Sequence, residues 1–245
     1  MMMKTSLMMA AAALTLLAGC SKGDDASGNA VAAGPTVAAS QATEWTATVS
    51  QTPEGGFVMG NPDAAVKLIE YGAFSCSHCA EFSEASKVGL KAMVNKGTVS
   101  YEFRNFLLNI IDVPAAIAVR CGGPQPFFQI SEQLFAAQRD WLGKTSSITP
   151  EEQAAFSKMT PVQTSAALAA KLELDKFVQQ RGVPSEKLKA CLADAPAIDA
   201  LGKISQEGQA KFQITGTPTF IINGQVVKDA NTWDKIEPML KASGA

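Results

Sequence analysis

The chain has 245 residues, of which 47% are hydrophobic, 18% charged and 7% aromatic. This composition excludes a disordered, collagen-like or disulfide-scaffold protein, and the length suits one large domain or one domain with an insertion. Lys and Arg total 21 and Asp and Glu total 23, so the formal net charge is −2. Because no basic run occurs, the sequence argues against a nucleic-acid-binding groove.

The first nineteen residues have the order of a secretory signal. One positive charge, Lys4, precedes an apolar run over residues 5–18. That run is shorter than the roughly 20 residues that a membrane-spanning helix needs. It ends in the letters LAGC, which resemble a bacterial lipobox with Cys20 as its last residue. We expect cleavage before Cys20 and acylation of its thiol as a lipid anchor. The alternative is an ordinary signal peptide cut nearby, with Cys20 incidental.

Residues 20–44 are interpreted as a flexible tether. Residues 21–44 contain no Leu, Ile or aromatic residue. Such a segment buries too little apolar area to offset its ordering entropy. A flexible coil of this length reaches roughly 25–30 Å, which suits a domain held off a membrane surface. We therefore expect the folded part to begin near Trp45, lipid-anchored in the bacterial cell envelope and facing the periplasm.

The next segment predicts a strand, a helix and a second strand. Residues 45–52 alternate weakly and indicate an edge strand, and the apolar run of residues 66–71 indicates a buried one. From Cys76 the pattern is helical, and the helix ends at Lys96-Gly97. Residues 98–106 alternate with period two. The result is a β–α–β unit with a C-x-x-C motif at its strand-to-helix turn.

The middle of the chain is predicted to be helical. Thr149 and Thr160 each precede a proline and stand three residues before Glu or Gln, the pattern of a capping box. The helix that begins after Thr160 is expected to run to Arg181. Other helices are expected over residues 115–121, 127–142 and 185–192. We therefore expect a helical insertion over residues 107–195.

Strand signals return after the insertion. Residues 196–212 indicate a helix and residues 217–223 are β-rich. Asn223-Gly224 is a strong type I′ hairpin signal, followed by a short partner strand and a terminal amphipathic helix over residues 231–242. Strands at both ends around a helical middle predict an α/β fold, with one domain built from residues 45–106 and 196–245.

The chain has five cysteines. With Cys20 assigned to the anchor, four remain, and an exported protein lies in an oxidising compartment where disulfides persist. Four cysteines allow three pairings; if Cys76 pairs with Cys79, then Cys121 must pair with Cys191. The first bond closes almost no loop and stabilises little, whereas the second closes a long loop and would be structural. The alternative is that Cys121 and Cys191 are two unpaired buried thiols.

The sequence Cys76-Ser77-His78-Cys79 points to thiol chemistry. Its position places Cys76 at a helix N-terminus, where unpaired N–H groups and the helix dipole favour the reactive thiolate. His78 is the only histidine in the chain, and its imidazole is expected to lower the pKa of Cys76 further. A low pKa stabilises the dithiol and makes the disulfide an oxidant, with Cys79 as the shielded resolving thiol.

Three other readings of the motif are weighed against this one. Half of a zinc site is disfavoured because structural zinc normally needs four ligands, and the other cysteines are distant. Thiolates also suit Cu(I), so a copper site is a second alternative. A purely structural disulfide is the third, disfavoured by its small loop. We expect no bound metal and no cofactor.

Together these residues resemble the DsbA-like thiol:disulfide oxidoreductases, a family with the thioredoxin fold. The resemblance covers residues 57–245. GNPDAAVKLIEYGAFSCSHC is similar to the family's first strand and active-site helix, QLFAAQRDW to a recurrent helix of its insertion, and ITGTPTFIINGQ to the loop and hairpin that face the active site. The resemblance implies an α/β thioredoxin fold with a helical insertion domain.

The resemblance also implies two residue roles. The family places a cis-proline against the C-x-x-C, which Thr217-Pro218 matches, and the Thr217 backbone would then pair with an extended substrate peptide. Glu70, six residues before Cys76, stands where the family often has a buried acid that exchanges a proton with Cys79. The alternative is an exposed polar residue on an edge strand. Ser77 departs from the family, which frequently has Pro there, and this bears on the redox potential.

The sequence therefore predicts a monomeric enzyme that oxidises cysteine pairs of unfolded or reduced exported proteins through a Cys76–Cys79 disulfide. A DsbB-like membrane quinone oxidoreductase is implied, by resemblance only, as the partner that reoxidises the pair. One alternative is a disulfide isomerase or reductase. Another is a lipid-anchored copper-binding protein or chaperone that uses the same cysteines.

Overall fold

The computed structural model describes residues 44–245. The predicted signal sequence, the Cys20 anchor and all but the last residue of the predicted tether lie outside the described residues. Six strands are present: β1 Val49–Gln51, β2 Phe57–Gly60, β3 Val66–Gly72, β4 Val99–Asn105, β5 Thr219–Ile222 and β6 Gln225–Val226. Within residues 44–245, no helix combines the length and the apolar character needed to cross a membrane.

The same part of the chain forms ten α-helices. They are α1 Ser77–Asn95, α2 Asp112–Arg120, α3 Pro124–Ala136, α4 Gln138–Gly143, α5 Pro150–Phe156, α6 Pro161–Lys171, α7 Leu174–Gln179, α8 Ser185–Leu192, α9 Ala195–Phe212 and α10 Trp233–Ala242. Two short 3-10 helices, Trp45–Ala47 and Lys144–Ser147, complete the set. The α/β class predicted from the sequence is confirmed, with seven helices between β4 and α9.

The six strands form one mixed sheet in the order β1-β2-β4-β3-β5-β6. β3 and β4 pair in parallel because α1 carries the chain back between them, as a parallel pair requires. β3 pairs antiparallel with β5 on its other side. Both edges of β3 are therefore covered by hydrogen-bonded neighbours, and the loop that follows β3 emerges from the centre of the sheet.

Local turn and cap chemistry agrees with the sequence at three points. Thr149 and Thr160 both form complete capping boxes, with Glu152 and Gln163 as the reciprocal partners. Asn223 and Gly224 both have positive φ, 49° and 81°, as a type I′ turn requires. These features depend on contacts within four residues, so the sequence alone determines them.

Three predicted elements are wrong in their extent, and one strand was missed. Only Val49–Gln51 of the expected edge strand is extended, and residues 45–47 form a 3-10 helix. The helix expected over residues 127–142 is divided into α3 and α4 at Ala137. The helix expected to reach Arg181 is divided into α6 and α7, because Glu173 takes a left-handed conformation with φ of 55°. β2 was not predicted at all; its four residues are too few for a periodic signal.

An aromatic cluster joins the sheet to α3. Phe74, in the loop after β3, lies with its ring centroid 5.7 Å from that of Phe103 on β4 and 5.0 Å from that of Phe135 on α3. Phe57 on β2 stacks on Phe127 of α3 at 4.0 Å. Burial of such rings is the largest local contribution to core stability. Because Phe74 precedes Cys76 by two residues, this core fixes the loop that carries the C-x-x-C motif.

Cys121 and Cys191 form a disulfide in the structure, with their Cα atoms 5.9 Å apart. Cys121 is the residue that ends α2, and Cys191 lies in the last turn of α8. The bond therefore ties the first helix of the predicted insertion to its last.

Candidate active site

Cys76 lies at the amino end of α1. Its extended backbone, with φ of −78° and ψ of 120°, makes it the N-cap residue, and its N–H donates to the Ala73 carbonyl at 3.1 Å. Cys76 is 8% exposed and Cys79, one turn further along, is fully buried. The two sulfurs are not bonded, so the structure shows the dithiol form. The central position of β3 and the start of α1 thus bring one accessible and one inaccessible thiol together.

The surroundings of Cys76 favour its ionised form and lower its pKa from 9.0 to about 5. The largest cause is a hydrogen bond from the Cys79 thiol, and it is opposed by burial. The Thr217 side chain and the main-chain N–H groups of Cys79 and His78 add to the lowering. These two amides belong to the first turn of α1, the kind of donor that a helix N-terminus offers an anion.

The His78 imidazole does not take the position that the sequence suggested. Its Nδ1 atom lies 3.1 Å from Glu81 Oε2, and the side chain is 60% exposed. The pKa of His78 is raised, chiefly by the Glu81 hydrogen bond and only in the smallest part by Cys76. What His78 gives the Cys76 sulfur is its main-chain N–H. The expectation of a thiolate stabilised by the ring is therefore corrected to one stabilised by the backbone.

Cys79 has the opposite environment. Burial raises its pKa well above 9.0, and the Cys76 sulfur and the Glu70 carboxyl raise it further. The two sulfurs therefore divide into a thiolate at Cys76 and a neutral thiol at Cys79. In thiol exchange the thiolate is the attacking and leaving form, so this difference separates the two roles.

Glu70 is 1% exposed and lies on β3, the strand with neighbours on both sides. The alternative of an exposed residue on an edge strand is therefore wrong. Burial raises the pKa of Glu70 to about 8, and a hydrogen bond from Tyr101 opposes this rise. The Tyr101 hydroxyl donates to Glu70 Oε2 at 2.6 Å, while Oε1 is buried and has no hydrogen-bond partner in the described part of the chain. Near neutral pH the side chain is thus mainly a protonated acid.

Thr217 and Pro218 lie directly against Cys76. The peptide bond between them is cis. The Cys76 sulfur lies 3.2 Å from the Thr217 carbonyl oxygen, to which the thiol donates a hydrogen bond when it is protonated. β5 begins at the next residue, Thr219, and pairs with β3. The main chain at Thr217 therefore borders the reactive sulfur.

Two positioning residues were not identified from the sequence. The Gln138 side chain on α4 is 7% exposed, and its Nε2 donates to the carbonyls of Phe74 and Cys76 at 2.8 Å each. The buried Asp112 carboxylate at the start of α2 accepts hydrogen bonds from Ser75, through its N–H and its hydroxyl, at 2.9 Å each. The sequence offered one signal for Gln138, namely a glutamine within the apolar stripe of a predicted helix. It offered no signal for Asp112.

Within residues 44–245, no cluster of three or more His, Cys, Asp or Glu side chains is arranged to hold a metal ion.

We expect site-resolved alkylation of the reduced protein to show a Cys76 midpoint near pH 5, because only the thiolate reacts. Iodoacetamide labelling followed by mass spectrometry across pH 3–10 measures this. Cys79 should stay unlabelled throughout in the folded protein, since it is buried and neutral.

The matched variant for this measurement is Cys79→Ala. It removes the largest cause of the lowered pKa, so the Cys76 midpoint should rise while remaining below 9.0, because the main-chain N–H groups stay in place. A wild-type midpoint at the value of an ordinary thiol would contradict the stabilised thiolate.

The chain is similar to known proteins over most of its length. A family model described as thioredoxin matches residues 52–242. Disulfide bond formation protein D of Bacillus subtilis (strain 168) is 25% identical over 193 residues, which cover 77% of this chain and 77% of that protein. The crystal structure of protein-disulfide isomerase from Novosphingobium aromaticivorans matches with a TM-score of 0.73 at 26% identity, covering 78% of this chain and 98% of that one.

A protein of Rickettsia bellii that carries the provisional name of a protein-disulfide oxidoreductase is 24% identical over 172 residues, or 70% of this chain. Those residues cover only 58% of the relative. The chain thus spans little more than half the length of the Rickettsia proteins that it matches.

Proposed function

Because the chain belongs to the thioredoxin family and has the fold of its DsbA-like thiol:disulfide oxidoreductases, we propose that it oxidises cysteine pairs in other proteins through a Cys76–Cys79 disulfide. The observation that carries the proposal is the contrast between the two sulfurs. Cys76 is a partly accessible thiolate with a pKa of about 5, and Cys79 is a buried neutral thiol. A client thiolate can reach the more exposed Cys76 sulfur, and the stable Cys76 thiolate is a good leaving group when the mixed disulfide is resolved.

The reaction begins with the oxidised protein. A client thiolate attacks Cys76 Sγ, the Cys76–Cys79 bond breaks, and its electron pair leaves on the Cys79 sulfur. Because burial disfavours that anion, Cys79 takes a proton, and neutral Glu70 is the nearby acid that supplies it. A second client thiolate then attacks the client sulfur of the mixed disulfide and releases Cys76 as a thiolate. The client loses two electrons, and the Cys pair gains them.

The low pKa of Cys76 gives this reaction its direction. The pKa of Cys76, about 5, lies about two units below pH 7, so Cys76 is ionised there, whereas a thiol with a pKa of 9.0 stays protonated. Ionisation of Cys76 stabilises the dithiol relative to the disulfide by about 2.7 kcal/mol. An easily reduced disulfide is a protein oxidant.

Client binding is the part of the proposal supported by Thr217. Its main chain lies beside the Cys76 sulfur and precedes β5. An extended client segment that pairs with this main chain would present its cysteine to Cys76. Recognition through backbone atoms needs little side-chain specificity, which suits clients that are unfolded or reduced proteins.

Export, lipid anchoring at Cys20 and reoxidation by a DsbB-like quinone oxidoreductase complete the proposal. They are supported by the sequence of residues 1–20 and by the family resemblance. The division into a domain of residues 45–106 and 196–245 and an insertion of residues 107–195 is proposed on the same basis, together with the run of helices from α2 to α8.

The test is a redox titration against glutathione combined with a client assay. We expect the Cys76–Cys79 pair to be half-reduced at a potential clearly more oxidising than that of glutathione, and catalytic amounts of oxidised protein to accelerate disulfide formation in a reduced client.

A potential well below that of glutathione would contradict an oxidase and favour a reductase. An isomerase is the second candidate, because the similar Novosphingobium structure carries that name. Reactivation of a client with scrambled disulfides by the reduced protein, without net oxidation, would favour it.

A further inference from the structure

Tyr101 lies on β4 beside the strand that carries Glu70. β3 and β4 are in register there, with Leu68 opposite Tyr101 and Glu70 opposite Phe103. The Tyr101 hydroxyl reaches Glu70 Oε2 at 2.6 Å, a short distance typical of a hydrogen bond to a carboxyl group. One of the two carboxyl oxygens of Glu70 thus accepts a hydrogen bond from a side chain of the neighbouring strand.

The other oxygen of Glu70 has no hydrogen-bond partner among residues 44–245 and lies near the end of β3. A Cβ atom placed on Gly72, the last residue of β3, would be 2.9 Å from Glu70 Oε1. Oε1 therefore lies over the end of β3, where the chain enters Ala73. The main-chain N–H of Ala73 is itself a hydrogen-bond donor to the Cys79 sulfur. Glu70 thus directs its unpaired oxygen to the side on which Cys79 lies.

A cavity of about 30 Å³ lies beside Tyr101. Its lining mixes polar side chains, among them Ser86, Ser131 and Glu132, with apolar ones, among them Leu90, Phe128 and Phe135. This is room for one water molecule. Lys91 forms an ion pair with Glu132 at 2.7 Å. The single O–H of Tyr101 is donated to Glu70.

From this geometry we propose that Tyr101 is a positioning residue for the proton step of Cys79. Its hydroxyl occupies Oε2 of Glu70 and leaves Oε1 as the oxygen that exchanges the proton. The inference rests on the proposed function, because the proton step belongs to reduction of the Cys76–Cys79 disulfide. When the sulfur–sulfur bond breaks, the proton of Oε1 moves to the Cys79 sulfur, and the resulting carboxylate keeps the hydrogen bond from Tyr101.

The groups that face Glu70 set the direction of the expected change. They are Tyr101 from β4 and the thiols of Cys76 and Cys79, while Glu132 and Lys91 pair beyond the tyrosine. The Tyr101 hydrogen bond stabilises the Glu70 carboxylate and so lowers the pKa that burial raises. Removal of the hydroxyl should therefore raise this pKa above its present value of about 8.

The test is Tyr101→Phe in the dithiol form, measured by infrared titration of the Glu70 carboxyl stretch. Glu70→Gln identifies the band by its loss. We expect the midpoint to move upward by about one pH unit, a tenfold change in the proton equilibrium. The rate at which dithiothreitol reduces the Cys76–Cys79 disulfide should fall about tenfold at pH 7, because the acid is no longer held in place.

Tyr71→Phe is the matched control, since Tyr71 and Tyr101 are the only tyrosines in the chain. The Tyr71 hydroxyl accepts a hydrogen bond from Arg104 at 3.1 Å and makes none to Glu70. The Glu70 band should keep its midpoint in this variant. A midpoint that is also unchanged in Tyr101→Phe would overturn the proposal.

A second variant covers the case in which Tyr101→Phe does not fold. Incorporation of 3-fluorotyrosine into the Tyr71→Phe protein labels Tyr101 alone and makes its phenol a stronger donor. The Glu70 midpoint should then move downward, and an unmoved midpoint would refute the assignment.

The infrared titration needs no client, so a shifted midpoint in a protein without client oxidation would refute the proposed function and leave the role of Tyr101 intact.

Discussion

Replacement of Cys76 with serine should reduce client oxidation to the rate of the uncatalysed control, because a serine hydroxyl forms neither the redox disulfide nor the mixed disulfide. Cys79→Ser should behave differently. Its Cys76 can still be captured in a mixed disulfide with an oxidised client or a small disulfide, but Cys79 is no longer present to attack Cys76 and release the bound partner. We therefore expect covalent complexes to accumulate with Cys79→Ser and to be absent with Cys76→Ser.

Non-reducing electrophoresis and mass spectrometry of the trapped species measure both outcomes. Val88→Ala is a suitable control, since Val88 lies on α1 and its side chain is 82% exposed to solvent. It should retain wild-type oxidation rates. Equal activity of Cys76→Ser and wild type would show that the site has been assigned to the wrong residues.

Removal of the Cys121–Cys191 disulfide should cost about 4 kcal/mol in the free energy of unfolding. The bond joins residues 70 apart in sequence, and on the chain-entropy model a loop of that length restricts the unfolded state by about this amount. Guanidinium denaturation of the double variant Cys121→Ser/Cys191→Ser, compared with the wild type, measures the difference.

The effect should extend to the active site, because α2 connects the two. It ends at Cys121, and its first residue, Asp112, holds Ser75 by two hydrogen bonds.

A Cys76→Ser/Cys79→Ser background gives a clean comparison, since dithiothreitol then reduces the Cys121–Cys191 bond alone. A loss below about 1 kcal/mol in both comparisons would show that this bond is not a major stabilising cross-link.

The sequence predicted the features of the site that depend on local pattern. The segment from β3 through Cys76 into α1 combines a short apolar run with a helix of 3.6-residue period. Both patterns are visible in the sequence without a structure. The turn at Asn223-Gly224 and the two capping boxes are equally local. Their residues interact within a few positions, so tertiary contacts have little opportunity to override them.

The contacts that define the chemistry were less predictable because they join distant segments. Tyr101 meets Glu70 only through the pairing of β4 with β3, and Gln138 reaches Cys76 across 62 positions of sequence. His78 shows a different limit. The glutamate three residues later competes for its imidazole on the same face of α1, and that i,i+3 neighbour outweighs the sulfur two residues earlier.

The Gln138 carboxamide has a consequence for engineered chimeras of this protein. Both of its hydrogen bonds end on the carbonyls of Phe74 and Cys76, so a side chain of α4 and not of the sheet supplies the amide that holds this turn. A foreign helical segment grafted in place of residues 107–195 would have to supply an equivalent pair of N–H donors at the same spot. Without them, the Phe74 carbonyl would lose the Gln138 hydrogen bond, and the Cys76 carbonyl would keep only the one from the Ala80 N–H, so the turn that carries the nucleophile would be held less firmly.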